Sequence, residues 1–322
     1  MISLTRQRAS SIIFDLVAEK KGSWIIPDNV CHAVFASIVA AGGEPLITDV
    51  DASTLELNPN NIVDTVKSNA NIKGVIMVRT YGNTSENYSK LIGEIKAINN
   101  EVIIVDDRCL AIPEISIEED IADVYLYSTG YSKVVDLGYG GYAFSKKEIQ
   151  SFDRNYNKHE EEQFDTFFKN AVYSDKHTNS VDIITVSCSN WLDMAKIEKQ
   201  KYFQEITSAK STALDCKSKI NSIYEEIKNE FQLGNEFNDW RFNIFVANRD
   251  EVLDRLFQNN LFASKHYFPL SKLLHSNENK TWRSIFPNII NLFNDFRYTP
   301  TMAEQTVELI NKYAKPIKYL TK

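Results

Sequence analysis

The alternation of apolar runs with amphipathic segments over residues 1–145 is the feature that most constrains how this chain folds. Segments with helical spacing occur at residues 10–19, 31–41, 60–68 and 85–99. Largely apolar runs flank them, at residues 24–26, 45–48, 74–78, 102–105 and 124–127. Runs that are apolar on both faces suit strands buried in a parallel sheet. Strands that alternate with helices therefore predict a mostly parallel sheet with helices on its two faces.

The second half of the chain has a different sequence pattern. Residues 146–180 are polar and include the acidic run 160–162, which we interpret as a solvated segment. Beyond it, the pattern predicts a long helix over 190–229, a strand over 241–247, and helices over 250–259 and 301–313. Because 322 residues exceed one ordinary domain, we predict two domains. These are a large α/β domain over residues 1–190 and a smaller C-terminal α+β domain over residues 191–322.

Composition narrows the class of protein. Lys and Arg number 36 against 43 Asp and Glu, and the net charge of −7 argues against a nucleic acid or an anionic membrane as the main partner. The four cysteines are widely spaced and form no Cys-x-x-Cys pair, so we expect neither a metal site nor a disulfide framework. No apolar stretch is long enough for a leader or a membrane span. We therefore predict a soluble cytoplasmic protein.

Polar side chains follow several of the predicted strands. Asp107 closes one run, Ser128 follows the next, and Lys133 comes five residues after Ser128. Because the carboxyl ends of parallel strands meet at one edge of a sheet, these side chains should converge there. An acid, a hydroxyl and a lysine suit an aldehyde cofactor held by a lysine, whose amine reacts when burial lowers its pKa. Taken alone, a lysine in this position is more often a solvated loop residue.

The spacing of four motifs resembles the DegT/DnrJ/EryC1/StrS family of sugar aminotransferases, which are fold-type-I enzymes that use pyridoxal phosphate. The motifs are the stretch 25–27 with 41–51, the Tyr81-Gly82 turn, the strand end 102–107, and Ser128 with Lys133 and Gly140-Gly141. Residues 266–270 further resemble a turn of the family's small domain. The resemblance thus implies a fold-type-I architecture and pyridoxal 5'-phosphate as cofactor. The chain begins close to its first predicted helix, and the segment before that helix is shorter than is usual in this family.

The resemblance also implies roles for the residues at the sheet edge. Lys133 corresponds to the lysine that carries the cofactor and moves a proton between the amino donor and the cofactor. Asp107 corresponds to the aspartate that pairs with the pyridine nitrogen, and Ser128 to a ligand of the phosphate. Asp106 should point to the opposite face of its strand, because side chains alternate.

Three further cofactor contacts and three substrate contacts are expected on weaker grounds. The first helix, starting near residues 5–7, would direct its free amides at the phosphate, which makes Arg6 and Gln7 candidates. Cys31 occupies the position of an aromatic ring that stacks on the cofactor. The candidates for the substrate entrance are His266, Tyr267 and His32.

The resemblance implies an aminotransferase that moves an amino group, from glutamate, to a nucleotide-linked keto-deoxysugar for lipopolysaccharide or a related glycan, acting as a homodimer. Two alternatives remain open. The first is a non-catalytic or regulatory relative that acts through protein partners, because Leu110 stands where the family has a side chain that bonds the ring hydroxyl. The second is an enzyme of free amino acids, for which Arg241 or Arg297 would bind the substrate carboxylate.

Overall fold

The computed structural model describes residues 1–85, 88–173, 191–272 and 280–317, with no side chains described over 169–173. Seven strands form the larger sheet, in the order β1-β7-β6-β5-β4-β2-β3. They are β1 (Ile2–Arg6), β2 (Ser23–Pro27), β3 (Glu44–Thr48), β4 (Ile72–Val78), β5 (Ile103–Asp107), β6 (Val124–Ser128) and β7 (Gly141–Ser145). Strand β7 runs antiparallel to both of its neighbours, β1 and β6, and the other pairs are parallel. The predicted mostly parallel sheet is confirmed.

Helices cover both faces of this sheet. Helices α1 (Ala9–Glu19) and α2 (His32–Ala40) pack on one face, and α3 (Pro59–Ser68) and α4 (Ser89–Ile98) on the other. Local sequence explains where α3 begins. The side chain of Asn58 accepts the Asn60 N–H, and a proline stands at the start of the helix, where no donor is lost.

Alternation along the strands decides which side chains reach which face. Val105 and Leu126 belong to the core beneath α1 and α2, whereas Ile104 and Tyr125 belong to the core beneath α3 and α4. Because the side-chain period of a strand is two, residues 107 and 128 share the face of α1 and α2. The last residues of β5 and β6 therefore project to the same side of the sheet edge.

The start of the chain differs from the sequence-based prediction. Residues 5–7 do not open a helix: Thr5 and Arg6 end strand β1, which pairs with β7, and α1 begins at Ala9. The guanidinium of Arg6 is fully buried and contacts Asp15 of α1 at 3.0 Å from Nε and 2.8 Å from Nη2. Its Nη1 donates to the Met194 carbonyl. Arg6 thus joins the edge strand, the first helix and a distant segment.

Replacing Arg6 with Met is expected to lower the free energy of unfolding by about 3–5 kcal/mol, because the buried Asp15 carboxylate then lacks its cation. Urea unfolding followed by circular dichroism measures this loss. Adding Asp15→Leu should recover only part of it, because Asp15 Oδ1 also accepts the Phe152 N–H at 2.9 Å. A single variant as stable as the wild type would contradict this account of the N-terminus.

A smaller antiparallel sheet forms from the second half of the chain. Its strands are β8 (Phe242–Phe245), β9 (Ala263–Ser264) and β10 (Ile289–Leu292), in the order β8-β10-β9. The remaining helices are α5 (Lys158–Tyr173), α6 (Lys199–Tyr224), α7 (Arg249–Gln258), α8 (Thr281–Ile285) and α9 (Pro300–Tyr313). None of the helices in the described residues is long and apolar enough to cross a membrane.

Helix α6 connects the two sheets. Tyr202 and Ile206 in its first half pack in the core of the larger sheet, and Ile220 and Tyr224 in its second half pack in the core of the smaller one. Trp191 also lies in the core beneath α1 and α2. The predicted division between residues 190 and 191 falls at the end of the stretch 174–190, which lies outside the described residues, and it stays a prediction.

Hydrogen bonds join segments next to the smaller sheet to residues that follow two strands of the larger sheet. The buried carboxylate of Asp28, just after β2, accepts the Ser271 N–H and the Ser271 hydroxyl, each at 2.7 Å. Asp49 accepts the Thr281 N–H at 2.8 Å at the start of α8. These bonds hold the segment around residues 266–271 over the carboxyl edge of the parallel strands.

Candidate active site

Lys133 lies in a tight loop between β6 and β7. The loop is closed by backbone bonds from Thr129 N to the Gly140 carbonyl at 3.0 Å and from Leu137 N to the Thr129 carbonyl at 2.9 Å. Ser132, the preceding residue, has a positive φ of 64°, and its N–H donates to Asp136 at 2.7 Å. Its carbonyl accepts the Trp240 indole N–H at 2.6 Å, so the smaller domain also holds the loop. This backbone fixes where the Lys133 side chain starts.

Asp107 is a buried carboxylate whose main neighbouring charge is Lys133. Its Oδ1 accepts the Cys109 N–H at 3.0 Å, and no described side chain forms an ion pair with it. Burial raises the pKa of Asp107, and the positive charge of Lys133 opposes that rise. The charge of Lys133 therefore acts on the buried Asp107 carboxylate, and a further cation or N–H donor would stabilise that carboxylate.

Two thiols face the same space. Burial raises the pKa of Cys31 and of Cys109, and the charge of Lys133 opposes the rise in both. Cys31 is the cap residue of α2, on the same side of the sheet as Asp107. Cys31 thus lies on the same side of the sheet as Asp107, with a thiol where the resemblance implies an aromatic ring.

A small cradle lies beside Ser128, at the other end of the site. Ser128 is 9% exposed, and its hydroxyl lies 3.3 Å from the Gly140 carbonyl and the Gly130 N–H. A Cβ added to Gly130 would stand 3.5 Å from the Ser128 hydroxyl and 4.0 Å from Nη1 of Arg8. The space in front of Gly130 is therefore bounded by a hydroxyl and a guanidinium, close to the start of α1. Such donors suit an anion.

Arg8, and not Arg6, supplies the cation beside this cradle. Arg6 is turned into the core by its bonds to Asp15, which leaves it no group to offer at the sheet edge. Gln7 contributes its backbone, with its N–H donating to Ala195 and its carbonyl accepting from Gly140. Alternation alone could not have separated the two arginines, because residues 6 and 8 are two apart; Arg8 differs in lying past the end of β1, directly before α1.

The three residues expected at the substrate entrance lie on two different walls. His266 packs against Trp240 with ring centroids 5.6 Å apart, and its carbonyl accepts the Tyr81 hydroxyl. Burial, together with the charges of Arg241 and Lys133, lowers the pKa of His266 to about 3. His266 is therefore neutral at physiological pH and no source of protons there.

Tyr267 and His32 are the other two residues expected at the substrate entrance. Tyr267 stacks on Trp240 at 6.1 Å, and its carbonyl accepts the Trp282 indole N–H at 2.8 Å. His32 opens α2 and stacks on Phe168 at 4.5 Å. The charge of His32 also acts on His266.

Asp106 points away from the site, as predicted. Its carboxylate binds Arg79 at 2.8 Å and Arg108 at 2.9 Å on the face of α3 and α4. A cavity of about 530 Å³ opens there, lined by these three residues, Tyr88 and Tyr125 among others. The buried charges that line this cavity pair with one another. They hold Asp106 on this face of β5, and Asp107, the next residue, lies on the opposite face.

Comparison with known proteins agrees with this arrangement. Residues 10–151 match the sequence profile of the DegT/DnrJ/EryC1/StrS aminotransferase family. No curated protein sequence matches the chain significantly.

Solved structures are similar over almost the whole chain. A protein of Streptococcus pneumoniae described as a sugar aminotransferase, in its PLP form, is 15% identical, with a TM-score of 0.68 over 96% of this chain and 86% of that chain. A DegT DnrJ EryC1 StrS aminotransferase of Brucella abortus is 15% identical, with a TM-score of 0.66 over 97% and 86%. The sugar aminotransferase CalS13 of Micromonospora echinospora is 12% identical, with a TM-score of 0.66 over 97% and 87%.

At these identities the structural similarity establishes the fold, and the profile match adds a sequence similarity over residues 10–151. The fold-type-I architecture expected from the sequence is that of these structures. Over residues 10–151, this chain is therefore similar in sequence to the DegT/DnrJ/EryC1/StrS aminotransferase family.

Proposed function

We propose that this protein is a pyridoxal phosphate-dependent aminotransferase that moves an amino group from glutamate to a nucleotide-linked keto-deoxysugar. The observation that carries the proposal is the convergence of Lys133 with the buried, otherwise unpaired Asp107 at the carboxyl edge of the sheet. The reaction class is that of the family whose sequence profile residues 10–151 match. A sugar substrate is supported by similar structures that are described as sugar aminotransferases.

The described residues fit pyridoxal phosphate as a donor set. Asp107 is a carboxylate without a cation other than Lys133 nearby, which suits a protonated pyridine nitrogen. The cradle in front of Gly130 offers Ser128 and Arg8 to the phosphate. When bound, the cofactor supplies an electron sink for the electrons of the bond broken at the donor's α-carbon.

The chain's own residues then have separate tasks. Lys133 holds the cofactor. Once its amine is free, Nζ takes the proton from the donor's α-carbon and passes it to the cofactor. Asp107 keeps the ring nitrogen protonated. His266 stays neutral and leaves proton handling to Lys133. Trp240 and Tyr267 shield the site from water with their stacked rings.

The finer assignments belong to the same proposal. We place the reaction in the synthesis of lipopolysaccharide or a related glycan, in the cytoplasm, with the protein acting as a homodimer. The test is purified protein incubated with pyridoxal phosphate and glutamate, followed by candidate keto-sugars. Formation of pyridoxamine phosphate from glutamate, then its consumption by a nucleotide-linked keto-sugar, is the expected result. Absence of pyridoxamine phosphate would sink the proposal.

Replacing Arg8 with Gln is expected to weaken binding of pyridoxal phosphate about tenfold, because a charge-assisted bond to the phosphate is lost at a partly exposed position. Arg8 also pairs with Glu161 at 3.0 Å, which limits the net effect. Titration of the apoprotein followed by absorbance measures the dissociation constant. Pyridoxal, which lacks the phosphate, is the matched control ligand, and its affinity should not change. An equal loss for both ligands would remove Arg8 from the phosphate site.

A further inference from the structure

Ser132, the residue before Lys133, has a backbone conformation that serine rarely adopts. Its φ of 64° lies in the left-handed region. There the Cβ of an L-residue crowds the following carbonyl oxygen, which lowers the population of this conformation about tenfold. Within the described part of the chain, a positive φ occurs at four residues other than glycine, at positions 55, 81, 132 and 260. A strained residue persists only where its surroundings hold it, and such residues cluster at functional sites.

All three polar groups of Ser132 are bound. Its N–H donates to Asp136 Oδ2 at 2.7 Å, and its carbonyl accepts the Trp240 indole N–H at 2.6 Å. Its hydroxyl accepts from Arg241 Nη2 at 2.8 Å. The N–H and the carbonyl belong to the two peptide groups on either side of the Ser132 Cα, and a change of φ would turn these groups relative to each other. Asp136 and Trp240 therefore oppose relaxation of Ser132 to a negative φ.

An ion pair with the smaller domain fixes the Asp136 carboxylate. Arg297 Nη2 donates to the same Asp136 oxygen that accepts the Ser132 N–H, and Arg297 Nη1 pairs with Asp295 at 2.8 Å. The other Asp136 oxygen accepts the Gly138 N–H at 2.9 Å. The Asp136 side chain is 8% exposed, so salt and solvent screen the pair little. Asp136 thus holds the Ser132 N–H from a fixed position.

A buried lysine of α6 fixes Trp240. Lys217 is 4% exposed, and its Nζ donates to the Trp240 carbonyl at 2.6 Å and to Asn294 Oδ1 at 2.7 Å. Burial lowers the pKa of Lys217 to about 8, so the amine is still charged at neutral pH and its bonds are stronger than neutral ones. The Trp240 N–H donates to the carbonyl of Tyr81 at 3.3 Å, and Tyr81 also has a positive φ, of 56°. Trp240 therefore binds two strained residues, which follow β4 and β6.

The conformation of Ser132 decides where the Lys133 side chain starts. The Lys133 N–H donates to the Gly130 carbonyl at 3.3 Å, which closes a turn over residues 130–133. A turn with a positive φ at its third residue usually has glycine or asparagine there, and this turn has serine. A negative φ at Ser132 would rotate the whole of Lys133 about the N–Cα bond of Ser132 and open the turn. The lysine would then leave the position from which its charge acts on Asp107.

We propose that Asp136 and Trp240 position Lys133 by holding Ser132 in its left-handed conformation. The inference rests on the proposed aminotransferase function, in which the Lys133 amine must reach the cofactor. Both residues act through the backbone of Ser132, so they are positioning residues and take no part in moving the proton. Because Arg297 and Lys217 belong to the smaller domain, the position of the reacting lysine depends on the packing of that domain against the loop.

The test is a mutant cycle in two backgrounds, Ser132→Ala and Ser132→Gly. Both remove the hydroxyl, but only alanine keeps the Cβ that disfavours a positive φ, whereas glycine adopts positive and negative φ about equally. Adding Asp136→Ala removes the acceptor of the N–H at position 132. The readout is the rate at which apoprotein mixed with pyridoxal forms the absorption band that requires Lys133. Pyridoxal lacks the phosphate, so the cradle beside Ser128 does not contribute.

We expect Asp136→Ala to slow formation of the band about tenfold in the wild-type and Ser132→Ala backgrounds. In the Ser132→Gly background the loss should stay below about threefold, because glycine keeps the left-handed conformation populated without the carboxylate. The kcat for glutamate should fall by the same factors with the KM nearly unchanged, since Lys133 acts after the donor is bound. Asp64→Ala, on the exposed face of α3, is the matched control and should change neither.

A measurement without cofactor separates this proposal from the proposed function. Amide hydrogen exchange at Lys133 in the apoprotein reports whether the turn to the Gly130 carbonyl is closed, and it should depend on the background in the same way. Equal factors in the Ser132→Ala and Ser132→Gly backgrounds, for the band or for exchange, overturn the proposal even if transamination proceeds. If the wild type forms no band, the proposed function fails and the exchange rates decide. If Asp136→Ala fails to fold, the same cycle with Trp240→Phe decides by the same criterion.

Discussion

Replacing Lys133 with Ala is expected to abolish the visible absorption band of the bound cofactor and to slow the glutamate half-reaction by about 10²–10⁴-fold or more. The reason is that the charge of Lys133 acts on Asp107, Cys31 and Cys109 together. Its removal takes away both the group that holds the cofactor and the base that moves the proton. Absorption spectra recorded with added pyridoxal phosphate, before and after glutamate, report the two losses separately.

Two controls make this result specific. Lys133→Arg retains a positive charge beside Asp107 but has no amine that can hold the cofactor, so it should also lack the band. Lys147→Ala removes an exposed lysine after β7 and should behave as the wild type. A band that does not depend on Lys133 would contradict the aminotransferase proposal. The non-catalytic alternative would then take its place, and a stable protein partner would be the next object of search.

The core of the fold could be predicted because its strands are buried on both faces. Strands β2, β4, β5 and β6 appear in the sequence as apolar runs, since helices cover them on two sides. Strand β1 could not be found in this way. Its inward residues include Thr5 and Arg6, whose burial depends on the pairing with β7 and on Asp15. A polar strand at a sheet edge carries no periodic signal of its own.

The sequence predicts only the part of the site that lies at the ends of the strands. Asp107 and Ser128 follow from the position of polar residues after apolar runs, and Lys133 follows from the family spacing. Arg8 was missed because it lies past the end of β1, and only the structure shows that Arg6 is turned into the core and Arg8 toward the cradle. Arg241 and Arg297 could not be told apart from the sequence, since only a folded structure shows that Arg297 pairs with Asp136 and Asp295.

Replacing Asp107 with Asn is expected to leave the Lys133-dependent band in place and to slow the glutamate half-reaction by about 10²–10⁴-fold. The amide has nearly the shape of the carboxylate but no charge, so it cannot keep the ring nitrogen protonated. Burial makes the contribution of that charge large, because Asp107 is 4% exposed and solvent does not screen it. Single-turnover kinetics with glutamate, followed at the cofactor band, measure the rate.

Asp106→Asn is the matched control, because it makes the same change one residue away on the opposite face of β5. This variant is expected to lower the free energy of unfolding by about 3–5 kcal/mol, since Arg79 and Arg108 lose their shared carboxylate in a buried place. Its half-reaction rate, measured on the folded fraction, should stay within a few-fold of the wild type. If Asp106→Asn slows the half-reaction as much as Asp107→Asn, the effect reflects the integrity of β5, and the pairing of Asp107 with the cofactor is wrong.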